Sequence, residues 1–480
     1  MGSLEKVTAD VCVIGGGPAG STTAKRLADL GYDVCLVERQ AFPRRRIAAS
    51  LPSAILPLLD ALGVRERIDN AGFPRPRRLV VWWSEAFPSI RLISGPPGYN
   101  VDRGLFDQLL LQNAEASGVA VLRSAHATHP ERLTGGGWKI RIRHAGVLKE
   151  ITATFLVDAS GGGTFLPGRR PRISAPLLSL FAHWQSDDNG ESDGRIEASE
   201  AEWFWYAPLG RGKSVAAVFV DPKRLSSSSQ DGIDTFYCDL LQRFRLFREL
   251  KAGRIEGEVK ACDASSRYAE QPVGSDFVRV GDANFSLDPL SSQGILNAIV
   301  SGLQAAIFIN TLAKDGANAE AAMDFYKECQ SEKITRYAAK TAAFYQERAA
   351  VCDQPFWKRR ATFNVVEARP PFETKGLEPT CRIKLSDLAK IENVPTIQGN
   401  TIALAPAVCH EALHRPVAFL GDLELVPMLR QIRSGQTADS LVQAWSRCMA
   451  ADLSWTVLRW LWDRRIIVPI MDSDPTKSAE

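Results

Sequence analysis

A chain of 480 residues that is 45% hydrophobic and 24% charged has the composition of a globular protein with room for two or three cored domains, which excludes the disordered and fibrous classes. The 58 lysines and arginines against 55 aspartates and glutamates leave a formal charge of +3, too weak for a surface adapted to nucleic acid or anionic lipid, so small or neutral partners are the default. The 9 cysteines are scattered singly from Cys12 to Cys448 with no C-x-x-C pair, which disfavours cysteine-held zinc and fits the reduced thiols of a cytoplasmic protein.

The first apolar run, Val11–Ile14, is too short for the core of a signal peptide, and export is not expected. The chain opens as strand, tight turn, helix and strand: Asp10–Ile14, Gly15-Gly-Gly-Pro-Ala-Gly20, an alanine-rich helix to Leu30, and Val34–Val37. In this βαβ unit Gly15 permits the tight turn, Gly17 lets backbone approach a pyrophosphate, and Gly20 lets helix and strand pack closely, with Pro18 and Ala19 opening the helix whose N-terminus faces the phosphates. Glu38 ends the second strand, where its carboxylate can accept from ribose hydroxyls and would repel a 2′-phosphate. A dinucleotide lacking that phosphate is implied. The turn by itself leaves nicotinamide and flavin both open.

Segment 76–94 has strand character and suggests a hairpin leaving the nucleotide core. Asp102 is placed to cap a helix over Arg103–Ala114, with Leu105, Phe106, Leu109 and Leu110 on its buried face. Strand patterns return at Trp138–Ile142 and Thr152–Val157 and lead into a glycine-rich turn at Asp158–Gly163. From Ile173 to about Val273 the alternation predicts a mainly β region, broken by polar loops at 186–193 and 226–231. The chain then rejoins the first sheet at Phe277–Asp282 and enters a helix after Gln293. Within that helix the stretch Ala298–Leu312 is interrupted by Ser301, Gln304 and Asn310 and falls short of the roughly 20 residues of a membrane span, so no membrane segment is expected. Residues 320–350 read as helical. Beyond Pro379, helix starts at Thr437 and Asp452 and a short terminal strand at Arg465–Ile470 suggest a small helix-turn-helix or winged-helix-like appendage.

Three stretches taken together, Gly15–Arg39, Val101–Asp107 and Val280–Pro289 with Leu290–Gly294, resemble the FAD-dependent aromatic hydroxylase and halogenase superfamily, in order over about residues 8–330. The resemblance implies FAD, with Arg103 contacting the cofactor, Asp282 at its ribitol or pyrophosphate and Pro289 beside the flavin ring. It places Arg39, Arg46, Ser50, Ala127, Asp158, Gly281, Gly294 and Ile295 at the cofactor as well. An ordinary strand-to-loop turn is an equal reading of Asp158. The fold class that follows is α/β: a Rossmann-like FAD-binding domain (1–75 with 98–172 and 274–330), a β-rich substrate domain of the aromatic hydroxylase type (76–97 with 173–273), a helical connection (331–380) and a small winged-helix-like C-terminal domain (381–480).

Trp203-Phe-Trp205-Tyr-Ala-Pro208 resembles the W-x-W-x-I-P signature of flavin halogenases with Ala207 in place of isoleucine; alternating tryptophans of a β core are the competing reading. Tryptophan halogenases also use a lysine after the first substrate hairpin begins, and none occurs between Lys25 and Lys139. The turn Ala48-Ala-Ser50-Leu-Pro52 lacks the acid of its relatives. The resemblance therefore points to oxygen insertion through a flavin C4a-hydroperoxide, with O2 as co-substrate and either NAD(P)H or free reduced flavin as external reductant. Pro289, Trp205 and Tyr206 are the expected catalytic neighbours, and Tyr206, His183 and Asp288 are candidates for the base.

Within the superfamily the motif set and the extra C-terminal domain most resemble the peptidyl-tryptophan hydroxylases of tryptophylquinone biogenesis in quinohemoprotein amine dehydrogenase. This implies a protein or peptide partner bearing tryptophan, and possible association with other maturation proteins. Flavin-dependent tryptophan halogenase and non-catalytic flavoprotein assembly factor stand as alternatives. Trp445, Trp455, Trp460 and Trp462 suit a helical core better than a partner face, and the balance of basic and acidic residues in 381–480 gives no support for DNA binding. His410-Glu-Ala-Leu-His414, with Glu424 as a third ligand, matches a zinc motif, but Pro406 and Pro416 leave little room for its helix, so no metal is expected.

Overall fold

The computed structural model describes residues 5–44, 46–128, 130–163, 165–187, 193–227, 232–250, 253–362, 376–413 and 415–470. The chain forms two compact units, one drawn from Met1–Lys314 with Tyr326–Val366 and the other from Asp315–Phe325 with Glu367–Glu480. The nucleotide and substrate regions thus share one unit.

The first sheet of the larger unit is built on Glu5–Ile14, whose last four residues, Val11–Ile14, are buried on both faces, and which runs parallel to Val34–Glu38 on one side and Val147–Asp158 on the other. Ala120–Arg123 extends it parallel to Val34–Glu38. The 12-residue strand Val147–Asp158 is shared. Its first half pairs antiparallel with Trp138–His144, and its last three residues pair parallel with Phe277–Arg279. The C-terminal ends of the parallel strands, Ile14, Glu38, Arg123, Asp158 and Arg279, therefore lie along one edge, where the turns that follow them gather; open α/β sheets bind ligands there. Helix Pro18–Asp29 packs against Gly294–Lys314, a 21-residue helix long and apolar enough to cross a membrane but largely buried as a core element.

The second sheet has seven strands, in the order Arg254–Asp263, Leu178–Gln185, Lys213–Val220, Glu202–Gly210, Gly194–Ala198, Arg78–Trp82 and Ser89–Leu92. The hairpin predicted at 76–94 is present and joins this sheet through parallel pairing of Arg78–Trp82 with Gly194–Ala198. The region, expected to be mainly β, also carries helices. Helices Pro222–Ser227, Gly232–Leu241 and Arg245–Arg248 interrupt it, and Tyr237, Leu240, Leu241, Phe244 and Phe247 cover the sheet face made by Leu180, Ala182, Phe204, Tyr206, Ala216 and Val218. The opposite face carries Val81, Trp83, Phe181, Trp203, Ala207, Val215, Ala217 and Phe219, packed with Ala48, Tyr345, Phe356 and Trp357. The predicted loops at 186–193 and 226–231 fall mostly outside the described residues.

Asp102 caps its helix as expected, Oδ1 accepting from the Leu105 amide at 3.0 Å, and the helix runs Arg103–Ala116. Its buried face is Phe106, Leu110, Leu111 and Ala114, whereas Leu105 is 39% exposed because it sits one position off the stripe. In the smaller unit Arg382–Leu385 pairs with Gln436–Thr437 and Ile467–Pro469, and helices Leu425–Leu429, Ala438–Trp445 and Ala451–Asp463 pack on them through Leu441, Trp445, Leu458 and Trp462. Thr437 caps its helix through Ser440 N at 3.2 Å. Trp445 and Trp462 are core, as their helical spacing predicts. The nine-residue strands Lys390–Gln398 and Thr401–Cys409 form a hairpin the sequence reading did not anticipate.

Candidate active site

The glycine turn is shaped by contacts that no side chain could share. Gly15 has φ +109°, and a Cβ there would lie 2.3 Å from the Ala159 carbonyl oxygen; a Cβ on Gly20 would lie 1.9 Å from the oxygen of Gly15. Helix Pro18–Asp29 begins with proline at its first position, and Gly17 offers no side-chain cap, so the first amides of the helix are left for an anion. Pro18, Ala19 and Gly20 are themselves buried.

Glu38 is 2% exposed and is already engaged: Oε2 accepts from Gly16 N at 2.7 Å and from Arg44 at 3.1 Å, and Oε1 from Gln40 N at 2.8 Å. Its first task is to lock the glycine turn, leaving Oε1 lone-pair capacity for a ribose. Arg44 continues to Asp107 at 2.9 Å, and Arg103 closes the chain with Nε on Asp107 Oδ1 at 2.9 Å and Nη2 on Oδ2 at 3.0 Å. Burial opposes ionisation of Asp107, but Arg103 and Arg44 outweigh it and hold the carboxyl below its usual range. Arg44 escaped the sequence reading; its only signal was the arginine run after Pro43.

Arg46 and Asp282 reveal a cleft. Both are open to solvent, yet burial lowers the guanidinium pKa of Arg46, with Arg44 and Arg103 pushing the same way, and burial raises the carboxyl of Asp282 against the pull of Arg103, Arg170 and Arg46. Side chains that are accessible but desolvated line a concavity. Arg103 feels the same burial, offset by Asp107, Asp282 and Asp102, and its pKa is raised. Three guanidiniums around one carboxylate, beside an uncapped helix N-terminus, suit a pyrophosphate with a polar neighbour. Arg170, also missed, donates to the Asp282 carbonyl.

The remaining predicted cofactor residues divide. Gly281 stands at the head of the short helix Gly281–Ala283, its amide donating to Ser301 Oγ at 2.9 Å, and Gly294 opens its helix with open space around it. Ile295 points its side chain into a core with Leu51, Phe106 and Ile299, leaving only backbone toward the turn. Ser50 donates to Asn100 at 2.7 Å, Arg39 is exposed, and Ala127 ends a short strand that follows Ser124, at φ +54°. Asp158 is a correction. It is wholly buried, Oδ1 accepting from the amide and hydroxyl of Ser160 at 3.1 and 2.6 Å and Oδ2 from Leu166 N at 3.2 Å, with Arg279 3.6 Å away. Its carboxylate folds its own turn.

On the substrate side Asp288 precedes Pro289 and is 3% exposed; Oδ1 accepts from Leu290 N at 3.0 Å and Oδ2 from the Tyr345 hydroxyl at 2.9 Å. Burial pushes its carboxyl up to about 6, against the hydrogen bonds from Leu290 and Tyr345. Tyr345 belongs to the aromatic face with Trp203 and Trp357, where Trp203 stacks on Phe219 at 3.8 Å and meets Trp83 edge-on at 6.3 Å. Trp205 packs on the same face and is partly open. His183 shares it, its ring 6.3 Å from that of Phe181. Tyr206 does not, which corrects its expected role: strand alternation sends it to the other face, into the cluster under Gly232–Leu241. His410 lies in a turn after Thr401–Cys409, Nδ1 accepting from Ala412 N at 3.1 Å and Nε2 3.3 Å from Ser386 Oγ; His414 is outside the described residues.

Comparison with known proteins identifies the family. The sequence matches the FAD binding domain over residues 8–168 and the tryptophan halogenase family over residues 89–370. It is 28% identical over 417 residues to tryptophan 2-halogenase of Chondromyces crocatus, covering 81% of this chain and 78% of that protein. The structure superposes on the flavin-dependent halogenase CmlS with a TM-score of 0.80 at 20% identity, covering 98% and 96% of the two chains. It also superposes on the peptidyl tryptophan dihydroxylase QhpG, essential for tryptophylquinone cofactor biogenesis, with a TM-score of 0.73 at 24% identity, covering 95% and 99%. Residues 8–168 are therefore an FAD-binding domain, and FAD is the cofactor.

Proposed function

Since the chain belongs to the tryptophan halogenase family and is an FAD-dependent enzyme, we propose that it hydroxylates an electron-rich aromatic ring, the indole of a tryptophan held in a protein or peptide. The observation that carries hydroxylation is the missing ammonium: no lysine occurs between Lys25 and Lys139, where the halogenase pattern calls for one. The polypeptide substrate is supported by the near full-length superposition on a peptidyl tryptophan dihydroxylase.

Reduced FAD, when bound, would supply two electrons for activating O2; with two protons, one oxygen atom ends as a hydroxyl in place of a ring hydrogen and the other as water. The electrons come from an external reductant of the nicotinamide or reduced-flavin class. Gly15–Gly20 and the N-terminus of helix Pro18–Asp29 would hold the pyrophosphate together with Arg46, Arg103 and Asp282, and Gly281, Gly294 and Pro289 would serve the rest of the cofactor. Trp205, partly open and backed by the buried Trp203 and Trp83, gives a dry aromatic wall that orients the indole and excludes water. Asp288 and Tyr345 are the titratable pair between the Pro289 turn and that wall, and give the proton released from the ring a place to go.

Halogenation is the second reading, favoured by the halogenases among its relatives. The two separate when the holoenzyme, a reductant, O2 and a tryptophan-bearing polypeptide are combined with and without bromide and the product is weighed. Gain of one oxygen whatever the halide is expected; a bromine isotope pattern that depends on bromide would replace the first reading with the second.

A further inference from the structure

The hairpin Arg78–Trp82/Ser89–Leu92 ends the seven-stranded sheet, and among the described residues no strand pairs with the outer edge of Ser89–Leu92. Ile93 donates its amide to Arg77 at 2.9 Å. Bonding along an antiparallel pair alternates, so the backbone groups of Ile90 and Leu92 point to the open edge. Open edges invite another strand, and proteins usually blunt them with short length, charge or a covering loop. This edge strand is four residues long and carries Arg91, yet apolar side chains on and beside it stay open: Phe87 is 77% exposed, Ile90 60% and Leu92 75%, and together with Ile93 they make up four of the twelve exposed large hydrophobics among the described residues.

Charge selects the occupant. Residues 74–97 contain Arg75, Arg77, Arg78 and Arg91 against Glu85 alone, a net of +3 that equals the formal charge of the whole chain. Arg75 and Arg78 are partly neutralised by Asp69 at 3.6 Å and Asp193 at 2.9 Å, while Arg77 and Arg91 are exposed and have no ionic partner among the described residues. A second copy of the chain pairing edge to edge would set arginine against arginine, a like-charge cost.

We propose that Ser89–Leu92 is a docking edge that captures an acidic, extended segment of the polypeptide substrate as an added strand. Backbone hydrogen bonds to Ile90 and Leu92 would supply affinity, apolar side chains of the segment would cover Phe87, Ile90 and Leu92, and its carboxylates would meet Arg77 and Arg91. This inference rests on the reading that the substrate is a polypeptide.

The test uses FAD-loaded full-length protein and a short labelled peptide alternating glutamate with valine around one tryptophan, followed by fluorescence anisotropy. Three comparisons accompany it: the lysine-for-glutamate peptide, a version interrupted by prolines, and the double variant Arg77→Glu/Arg91→Glu, whose folding is checked by retained flavin absorbance. The acidic peptide should bind the wild type, the double variant should weaken it by about tenfold or more, and the lysine and proline peptides should not bind. No binding of the acidic peptide, equal binding of the lysine peptide, or binding unchanged in the double variant overturns the docking edge. Oxygen gain by the peptide is weighed in the same samples. Docking without oxygen gain under turnover conditions counts against the proposed reaction and supports the edge; oxygen gain undiminished in the double variant counts against the edge and supports the reaction.

Discussion

At Gly20 one added carbon would lie 1.9 Å from the carbonyl oxygen of Gly15, well inside any tolerated contact, so Gly20→Ala must displace the turn proposed to receive the pyrophosphate. The variant should purify without flavin even when FAD is supplied, read from the visible absorbance; a yellow Gly20→Ala protein would show that the turn does not hold the cofactor. Asp288 makes a second prediction. Its carboxyl is raised from 3.8 to about 6, so between those pH values the folded chain keeps a proton that the unfolded chain has released. The stability this group contributes is complete below about pH 3.8 and is lost as pH rises to about 6, a change of about 3 kcal/mol. Asp288→Asn cannot titrate, so its melting temperature minus that of the wild type should climb between pH 4 and 6; a difference flat across that range would show that Asp288 ionises normally. Single residues were read with uneven success. The glycine spacing and Glu38 were legible because a backbone conformation demands them, whereas Arg44 and Arg170 were not, since an arginine's partners come from distant turns. Asp158 looked like a ligand only because a strand-end carboxylate reads alike whether it faces a cofactor or caps its own loop.

For a strand, alternation decides function more sharply than sequence proximity. Trp203 and Trp205 share the face with Tyr345 and Trp357, and Tyr206, between Trp205 and Ala207, is buried on the reverse. Tyr206→Phe should therefore leave turnover within about twofold, while Trp205→Ala should lower it by about tenfold or more through loss of the wall that orients the ring. Rates of product formation check this, and a crippled Tyr206→Phe would contradict the assignment of faces. Helix Arg103–Ala116 offers the matching test of stability: Leu110→Ala, at a site 3% exposed, should cost about 2–5 kcal/mol, and Leu105→Ala less than about 1, by denaturant midpoints. Pattern and cap placed this helix correctly and misjudged only the edge of its stripe. The helices of 222–248 were missed because each is short, ten residues at most, and their apolar residues serve the sheet's back face rather than a helical core of their own.

For the molecule as a whole, the order of the parallel strands explains how stretches far apart in sequence build one site. The ends at Ile14, Glu38, Asp158 and Arg279 fall along one edge, so the turns at Gly15, Arg46, Arg103 and Asp282 converge. That convergence was legible as three motifs in order, but not the shared cleft, whose desolvated arginines appear only when the turns are brought together. In the small C-terminal unit the helix start at Thr437 and the terminal strand were legible, whereas the second helix starts from Ala450 rather than Asp452, and the long hairpin was not legible because Lys390–Gln398 carries no alternation of buried and exposed apolar residues. The measurement that bears most directly on the account is turnover of a tryptophan-bearing polypeptide by the reduced holoenzyme under isotopically heavy dioxygen in chloride buffer, with the product fragmented by mass spectrometry. One heavy oxygen on the indole of a tryptophan is predicted; a chlorinated indole, or a hydroxyl carrying only solvent oxygen, would contradict it.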